Sequence, residues 1–347
     1  MQKWTSRFAR DSRGLTANRS QWKKVVAKAL AELQEWEMNE TCSRINDILE
    51  YYYLTSMYSI EFLLGLVGNI IVISGYIFCL KNWKCSNIYL FNLSISDLIF
   101  ICTLPMFVVY YAKGKHWVFG DFLCKMNRYI LYSNMYLSIL FLACISIDRY
   151  LLVSNPLRVH VFQRKRVAIF ISIALWIFVT LEVIPVLTFI GSDNVTSHDN
   201  STIIKCVDYA SAGNPVHNLI YNVCLTTFGF VLPMSVMGVF CVKTACKLKE
   251  LNKERTCSIP LEKPLTLVIL AIVIFSVLFT PYHIMRNARM VSRLENINIS
   301  KGAFECIKAA YALSRPVAFL SIITNPVFYF FSGDKFRETI ANSLKCC

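Results

Sequence analysis

The residues best equipped for chemistry in this chain are arginines set in otherwise apolar runs. Phe279, Tyr282, His283 and Arg286 recur at three- and four-residue spacing, so they share one face of a helix, and Arg289 continues the line. Arg128 falls about one helical turn from Cys124, and Arg315 stands directly before Pro316 in another apolar run. Tyr58, Tyr111 and Tyr132 lie in neighbouring apolar stretches and can donate hydroxyls. Guanidinium forks bind carboxylates bidentately, and such charge-assisted bonds are roughly twice as strong as neutral ones. Several guanidiniums without obvious carboxylate partners suit a small dianion, which could neutralise two of them in a partly desolvated pocket. The competing reading is that the arginines snorkel to water or pair with Asp208 and Glu305. Asp208 is therefore counted among the candidate binding residues. His283 reads as a neutral hydrogen-bonding residue in the same pocket rather than a pH sensor.

Other chemistry is excluded or confined. The five histidines are scattered, and neither His-Glu-x-x-His nor Gly-x-Ser-x-Gly occurs, so no metal or catalytic set is expected and the chain does not read as an enzyme. Carboxylates that interrupt apolar runs include Asp97, and Asp148 in the sequence Asp148-Arg149-Tyr150. Ionised groups are costly in hydrocarbon, so each needs a partner or a wet boundary and marks function. Pro281 and Pro326 interrupt their own runs and give sites where a helix bends cheaply.

These residues must be positioned by membrane-spanning helices. Apolar segments occur at about 54–80, 87–112, 121–152, 166–190, 216–246, 265–290 and 306–332. Each is long enough to cross a bilayer, and helices are the open-chain structure that satisfies every backbone group there. The third, from Cys124 to Leu152, would reach roughly 40 Å at 1.5 Å per residue and would link the Arg128 end to the Arg149 end. The expected fold is an all-α bundle of seven transmembrane helices over residues 38–332, with a short amphipathic eighth helix and tail over 333–347. The net charge of +14 lies largely between the apolar runs, where it sets topology rather than binding nucleic acid.

The connections divide into two kinds. Lys81 and Lys84, Arg158 to Arg166, and Lys243 to Arg255 make one set basic, and it also faces anionic membrane lipid. The other set carries the glycan acceptors Asn39, Asn194, Asn200 and Asn298, whereas the sequon at Asn92 falls inside the second run. Both indicators put the N-terminus outside and the C-terminus inside, as for a multi-pass protein of the plasma membrane. Cys42, Cys124, Cys206 and Cys306 fall on the outer side, where four cysteines permit three connectivities. Cys124–Cys206 would pin the long loop over the third helix, and Cys42–Cys306 would tie the N-terminal segment to the seventh. Cys346 and Cys347 follow the run FRETIANSLK and suit palmitoylation. Residues 1–37 are basic and polar, and are expected to be an upstream extension that is absent or disordered, although VVAKALAELQEW within it has the pattern of a short amphipathic helix.

The set Gly68-Asn69, Asp97, Asp148-Arg149-Tyr150, Trp176, Pro233, Pro281 and Asn325-Pro326-Val327-Phe328-Tyr329 resembles the signature of rhodopsin-like G-protein-coupled receptors, in the right order. The stretches KNWKCSNIYLFNLSISDL, DYASAGNP, FTPYHIMRN and YALSRPVAFL further resemble the succinate receptors, which stand with the oxoglutarate and purinergic nucleotide receptors. That resemblance implies a small dicarboxylate ligand, succinate first, held by Arg128, Arg286 and Arg315 with Tyr58 and Tyr111 in the pocket. Tyr132 departs from it, because that position is usually histidine, and tyrosine has no cationic form near neutrality. The resemblance also implies a sodium pocket of Asp97, Ser138, Ser321 and Asn325, with no other cofactor. Arg149 and Tyr329 become effector-coupling residues, with Phe279 standing where many members carry tryptophan. The implied partner is a heterotrimeric G protein, the inhibitory class first and the phospholipase-activating class second. The alternatives are a nucleotide or oxoglutarate as ligand, or a carboxylate transporter. A transporter usually shows internal repeats and broken half-helices, which this chain lacks.

Overall fold

The computed structural model describes residues 19–80, 83–154, 160–196, 202–211, 213–253 and 262–332. Among them, seven helices are long and apolar enough to cross a membrane: α1 (Lys23–Phe78), α2 (Cys85–Ala112), α3 (Gly120–Ser154), α4 (Lys165–Phe189), α5 (Pro215–Glu250), α6 (Val268–Val291) and α7 (Lys301–Pro326). Their outward faces stay apolar, with Phe78 82 % exposed and Phe170 73 % exposed, as lipid-facing positions require. The protein is a seven-span helical membrane protein, as the runs of apolar residues predict.

The helix α3 runs through the centre. Its residues Leu131, Met135, Tyr136, Ile139 and Phe141 are buried among the other spans. Several helices carry a local irregularity within a continuous span. In α2, Thr103 donates its hydroxyl to the Phe100 carbonyl at 2.7 Å, just before Pro105, and the chain restarts at Leu104. In α5 the residues Thr227–Val231 form one wider π turn. Pro281 lies inside α6, and Pro316 lies inside α7 shortly before a turn at Leu320. Asn69 in α1 donates to the Ile322 carbonyl at 3.0 Å, which joins α1 to that turn.

Between α4 and α5 lies an antiparallel hairpin, β1 (Gly191–Thr196) and β2 (Thr202–Val207), with Ser192 opposite Cys206. Sequence reading missed it: GSDNVT is polar enough to pass for loop, and TIIKCV, though rich in β-branched residues, is only six residues long. Both expected disulfides are present: Cys124–Cys206, with Cα atoms 5.6 Å apart, pins β2 to the top of α3, and Cys42–Cys306, 4.9 Å apart, ties α1 to α7. Trp117 also holds β2, its backbone N–H donating to Ile204 at 2.7 Å.

The helix that contains α1 begins at Arg19 and runs on into the first span. Its Glu35 carboxylate accepts the backbone N–H of Lys301 at 3.2 Å, at the helix N-terminus where negative charge is favoured. Gly302 permits the approach, since a Cβ there would stand 2.6 Å from Met38 Cε. Residues 1–18 and the eighth-helix segment 333–347 with Cys346 and Cys347 lie outside the described residues, as does Asn200. Asn39 lies in α1, Asn194 in β1 and Asn298 is exposed before α7, all toward the end that carries the disulfides. Asn92 turns inward, accepting from Trp176 Nε1 at 3.1 Å.

Candidate functional site: an arginine-lined cavity

Beneath the hairpin, at the disulfide end, lies a cavity of about 190 Å³. Arg128 of α3 and Arg315 of α7 reach it together with Lys115, Lys205, Arg289 and Lys308, against two carboxylates, Glu50 and Asp208. Lys115 pairs with Glu50, and Lys308 pairs with Glu305 at 3.1 Å. Lys115 holds a left-handed backbone with φ of 68°, which an L residue seldom adopts and which sets its ammonium at the cavity lip.

Both deep arginines of the cavity are buried, Arg128 3 % and Arg315 7 % exposed. Arg128 donates to the Cys206 carbonyl at 3.3 Å and lies 4.9 Å from the centroid of the Phe107 ring. Arg315 donates to the Tyr111 hydroxyl at 2.7 Å, and the Nε atoms of both arginines lack an acceptor. Among the described residues, neither makes a direct ion pair. Tyr58 is buried beside them, its ring 5.9 Å from that of Tyr111.

Asp208 forms the floor. Its two oxygens accept hydroxyls from Tyr132 at 2.6 Å and Tyr311 at 2.5 Å, the short range of hydroxyl–carboxylate bonds. Burial pushes its pKa up, but the charge of Arg128, then the two hydroxyls and the charge of Arg315, outweigh burial and hold it below the usual aspartate range. Tyr132, expected as a donor to a ligand, thus already donates to the protein's own carboxylate.

Below that floor lies a second, drier layer. Arg286 is 0 % exposed and sits among the rings of Tyr132, Tyr136, Tyr209 and Tyr282, the nearest centroid, Tyr282, at 5.2 Å. Its Nη2 reaches the Tyr136 hydroxyl at 2.9 Å, Thr226 at 3.3 Å and His283 Nδ1 at 3.0 Å. The guanidinium can only donate, so His283 accepts at Nδ1 and carries its proton on Nε2. The imidazole stacks on Phe230 at 4.1 Å. The predicted residues therefore fall into two layers: Arg128, Arg315, Tyr111 and Asp208 line the cavity, while Arg286 and His283 lie beneath it. Sequence reading missed Glu50, Lys115, Lys205, Lys308 and Tyr311. Tyr311 had a signal, standing four residues before Arg315 on the same helical face.

Mid-bundle, Asp97 accepts from Asn134 and Asn325, each at 2.8 Å. Asn134 was not foreseen. The Ser138 hydroxyl and the Asn325 Oδ1 are buried without a partner among the described residues, and Ser321 is buried beside them. A carboxyl group with spare neutral oxygens is a donor set that fits a hard monovalent cation.

At the opposite end, Arg149 donates to the Ser86 hydroxyl at 3.2 Å beside Asp148, and Tyr150 packs on Phe240 at 5.3 Å. Phe279 is fully buried against Phe275, at 5.0 Å, two residues before Pro281. Pro326 and Tyr329 lie in the closing helix Ser321–Ser332.

Comparison with known proteins agrees with this arrangement. Residues 68–329 match the family described as 7 transmembrane receptor (rhodopsin family). The rat protein named Succinate receptor 1 is 53 % identical over 303 residues, covering 87 % of this chain and 93 % of that protein. The mouse protein of the same name is 52 % identical over 299 residues, covering 86 % and 92 %. The rat protein named 2-oxoglutarate receptor 1 is 34 % identical over 307 residues, covering 88 % of each chain.

Proposed function

Since the chain belongs to the rhodopsin family of seven-transmembrane receptors, we propose that it binds a small extracellular dicarboxylate, succinate first, and signals through a heterotrimeric G protein. It is a receptor of the succinate-receptor type and not an enzyme. The observation that carries the ligand is the pair of buried guanidiniums, Arg128 and Arg315, that open on one cavity and make no direct ion pair among the described residues. The carboxylates whose charge they share, Asp208 and Glu50, are bonded directly to two tyrosine hydroxyls and to Lys115, so a ligand carboxylate on each guanidinium would supply the bidentate partner it lacks. The volume also favours a short diacid. About 190 Å³ lies below the roughly 300–1,000 Å³ of pockets that hold drug-sized ligands, so a nucleotide would require the cavity to open.

Bidentate carboxylates on Arg128 and Arg315 draw α3 and α7 together. Tyr311 belongs to α7 and Tyr132 to α3, so the same contraction acts on the two hydroxyls that hold Asp208. Release of that floor would admit one ligand carboxylate toward Arg286. The ligand then favours the contracted state by its differential affinity, and a shift at the Pro281 bend lets the far end of α6 move and a G protein dock near Arg149. By resemblance, the inhibitory class is first and the phospholipase-activating class second. The N-terminus and the glycan acceptors Asn39, Asn194, Asn200 and Asn298 face outside, and Cys346 and Cys347 carry acyl chains inside. A sodium ion at Asp97, Ser138, Ser321 and Asn325 would act as an allosteric brake.

The test is G-protein activation in cells by succinate, with oxoglutarate and ADP alongside, on the wild type and Arg315→Gln. Activation by succinate that Arg315→Gln abolishes at equal surface expression supports the reading. Silence toward succinate with a response to another anion moves the ligand assignment to that anion.

A further inference from the structure

The connection between α2 and α3 holds the hairpin by a bond that a proton would break. Two consecutive left-handed residues, Gly114 with φ of 64° and Lys115 with φ of 68°, turn the chain before His116 and Trp117 meet β2. Both backbone groups of Ile204 are taken there. The Trp117 N–H donates to the Ile204 carbonyl at 2.7 Å, and the Ile204 N–H donates to His116 Nδ1 at 3.3 Å. An accepting Nδ1 requires the neutral ring with its proton on Nε2, because the charged ring carries N–H at both nitrogens. Protonation of His116 would set one donor against another. Histidine is the side chain that ordinarily changes charge between about pH 5 and pH 8, and His116 is half-buried with its bond to Ile204 at the surface, within reach of a proton.

The charged residues on the elements that meet at this point offer the charged ring no substitute. Lys115 pairs with Glu50 of α1, and Lys125 pairs with Asp121 at 2.7 Å at the start of α3. Lys113 precedes the turn, and on β2 Lys205 follows Ile204, with Asp193 of β1 opposite it. Among the described residues His116 makes no ion pair. What the bond holds in place bears on the cavity. Two residues beyond Ile204 the Cys206 carbonyl accepts from Arg128 at 3.3 Å, and Lys205 and Asp208 both line the cavity.

We propose that His116 is a pH-sensitive latch on the hairpin. Neutral, it fixes the edge of β2 over the cavity; charged, it releases that edge and weakens dicarboxylate binding. The disulfide Cys124–Cys206 remains in either state, so the release is confined to the edge and does not free the hairpin. The effect on binding rests on the reading of the cavity as the ligand site.

The experiment compares wild type, His116→Asn and His116→Ala at about pH 7.5 and about pH 5.5. Melting temperatures are taken on the ligand-free purified full chain, and succinate dose–responses on cells. Asparagine keeps an acceptor near the place of Nδ1 and does not titrate, whereas alanine removes the acceptor. Protonation of succinate and of every other residue is common to all three proteins. On acidification, wild type is expected to lose about 1–3 °C more than either variant. Its half-maximal succinate concentration is expected to rise about two- to tenfold more than theirs. At pH 7.5 His116→Asn should match wild type. An acid loss in wild type no larger than in His116→Ala, in either measurement, overturns the proposal. If succinate is silent on wild type, the ligand reading has failed instead. The melts then decide alone: an acid loss that depends on His116 supports the latch, and equal losses overturn it.

Discussion

The ring of Tyr136 lies so close to the backbone of Gly229 that a Cβ at that position would stand 2.4 Å from it. Gly229 is in the π turn of α5, where the widened backbone lets α3 approach. The Tyr136 hydroxyl in turn accepts from Arg286. A missing methyl group on one helix thus positions a cation on another. Gly229→Ala should push the ring aside, cost about 1–3 kcal/mol as overpacking, and lower dicarboxylate potency. Tyr136→Phe, which removes only the acceptor, should cost about 1 kcal/mol. A Gly229→Ala protein that melts and responds like wild type would show that the contact has no consequence.

Acid should weaken the floor of the cavity. The Asp208 carboxyl is held below its ordinary range, so the native state binds this proton less readily than the unfolded chain. The stability it contributes is fully present above the ordinary aspartate value and is lost as pH falls through the lower native one. Melting curves from about pH 6 down to about pH 3 should fall less steeply in Asp208→Asn than in wild type. Parallel curves would remove Asp208 as the titrating group.

Charge capture in the cavity predicts a clean dependence on ligand charge. Arg128→Gln and Arg315→Gln should each raise the half-maximal succinate concentration by at least about tenfold. The uncharged dimethyl ester, applied outside intact receptor in vesicles, should be silent. An ester as potent as the diacid would refute a mechanism based on guanidinium–carboxylate pairing.

Sodium should stabilise the ligand-free protein through the mid-bundle carboxylate. Raising sodium against an equal concentration of choline should raise the melting temperature of wild type and leave Asp97→Asn unmoved. Asn134→Ala removes one of the two amides on Asp97, and should change the size of the sodium effect without abolishing it. Equal responses in wild type and Asp97→Asn would exclude this site.

What could be read in advance was what depends on residues near one another in the chain. The seven apolar runs and the shared face of Tyr282, His283 and Arg286 depend on the α-helical repeat, and the Cys124–Cys206 pairing was one of only three arrangements open to four cysteines. The two-layer division of the site was not legible. It depends on Asp208, which arrives on a hairpin that has no strong strand pattern, and on Tyr132 and Tyr311, which lie on helices far apart in the chain and meet at one carboxylate. Lys115 was hidden for a different reason: its place at the cavity lip follows from a left-handed turn, and Lys is not a residue from which such a turn is read.

The bond between Cys42 and Cys306 spans 264 residues, against 82 for Cys124 and Cys206. During synthesis from the N-terminus, the first thiol is therefore made early and its partner almost last. Cys124 and Cys206 both exist before Cys306 does, so the pair that secures the hairpin is available for oxidation before the pair that joins the ends of the bundle. For that interval Cys42 must be kept from either of the other two. A chain stalled before its seventh span is then exposed to mispairing, which makes premature truncation a hazard of oxidation as well as of missing structure.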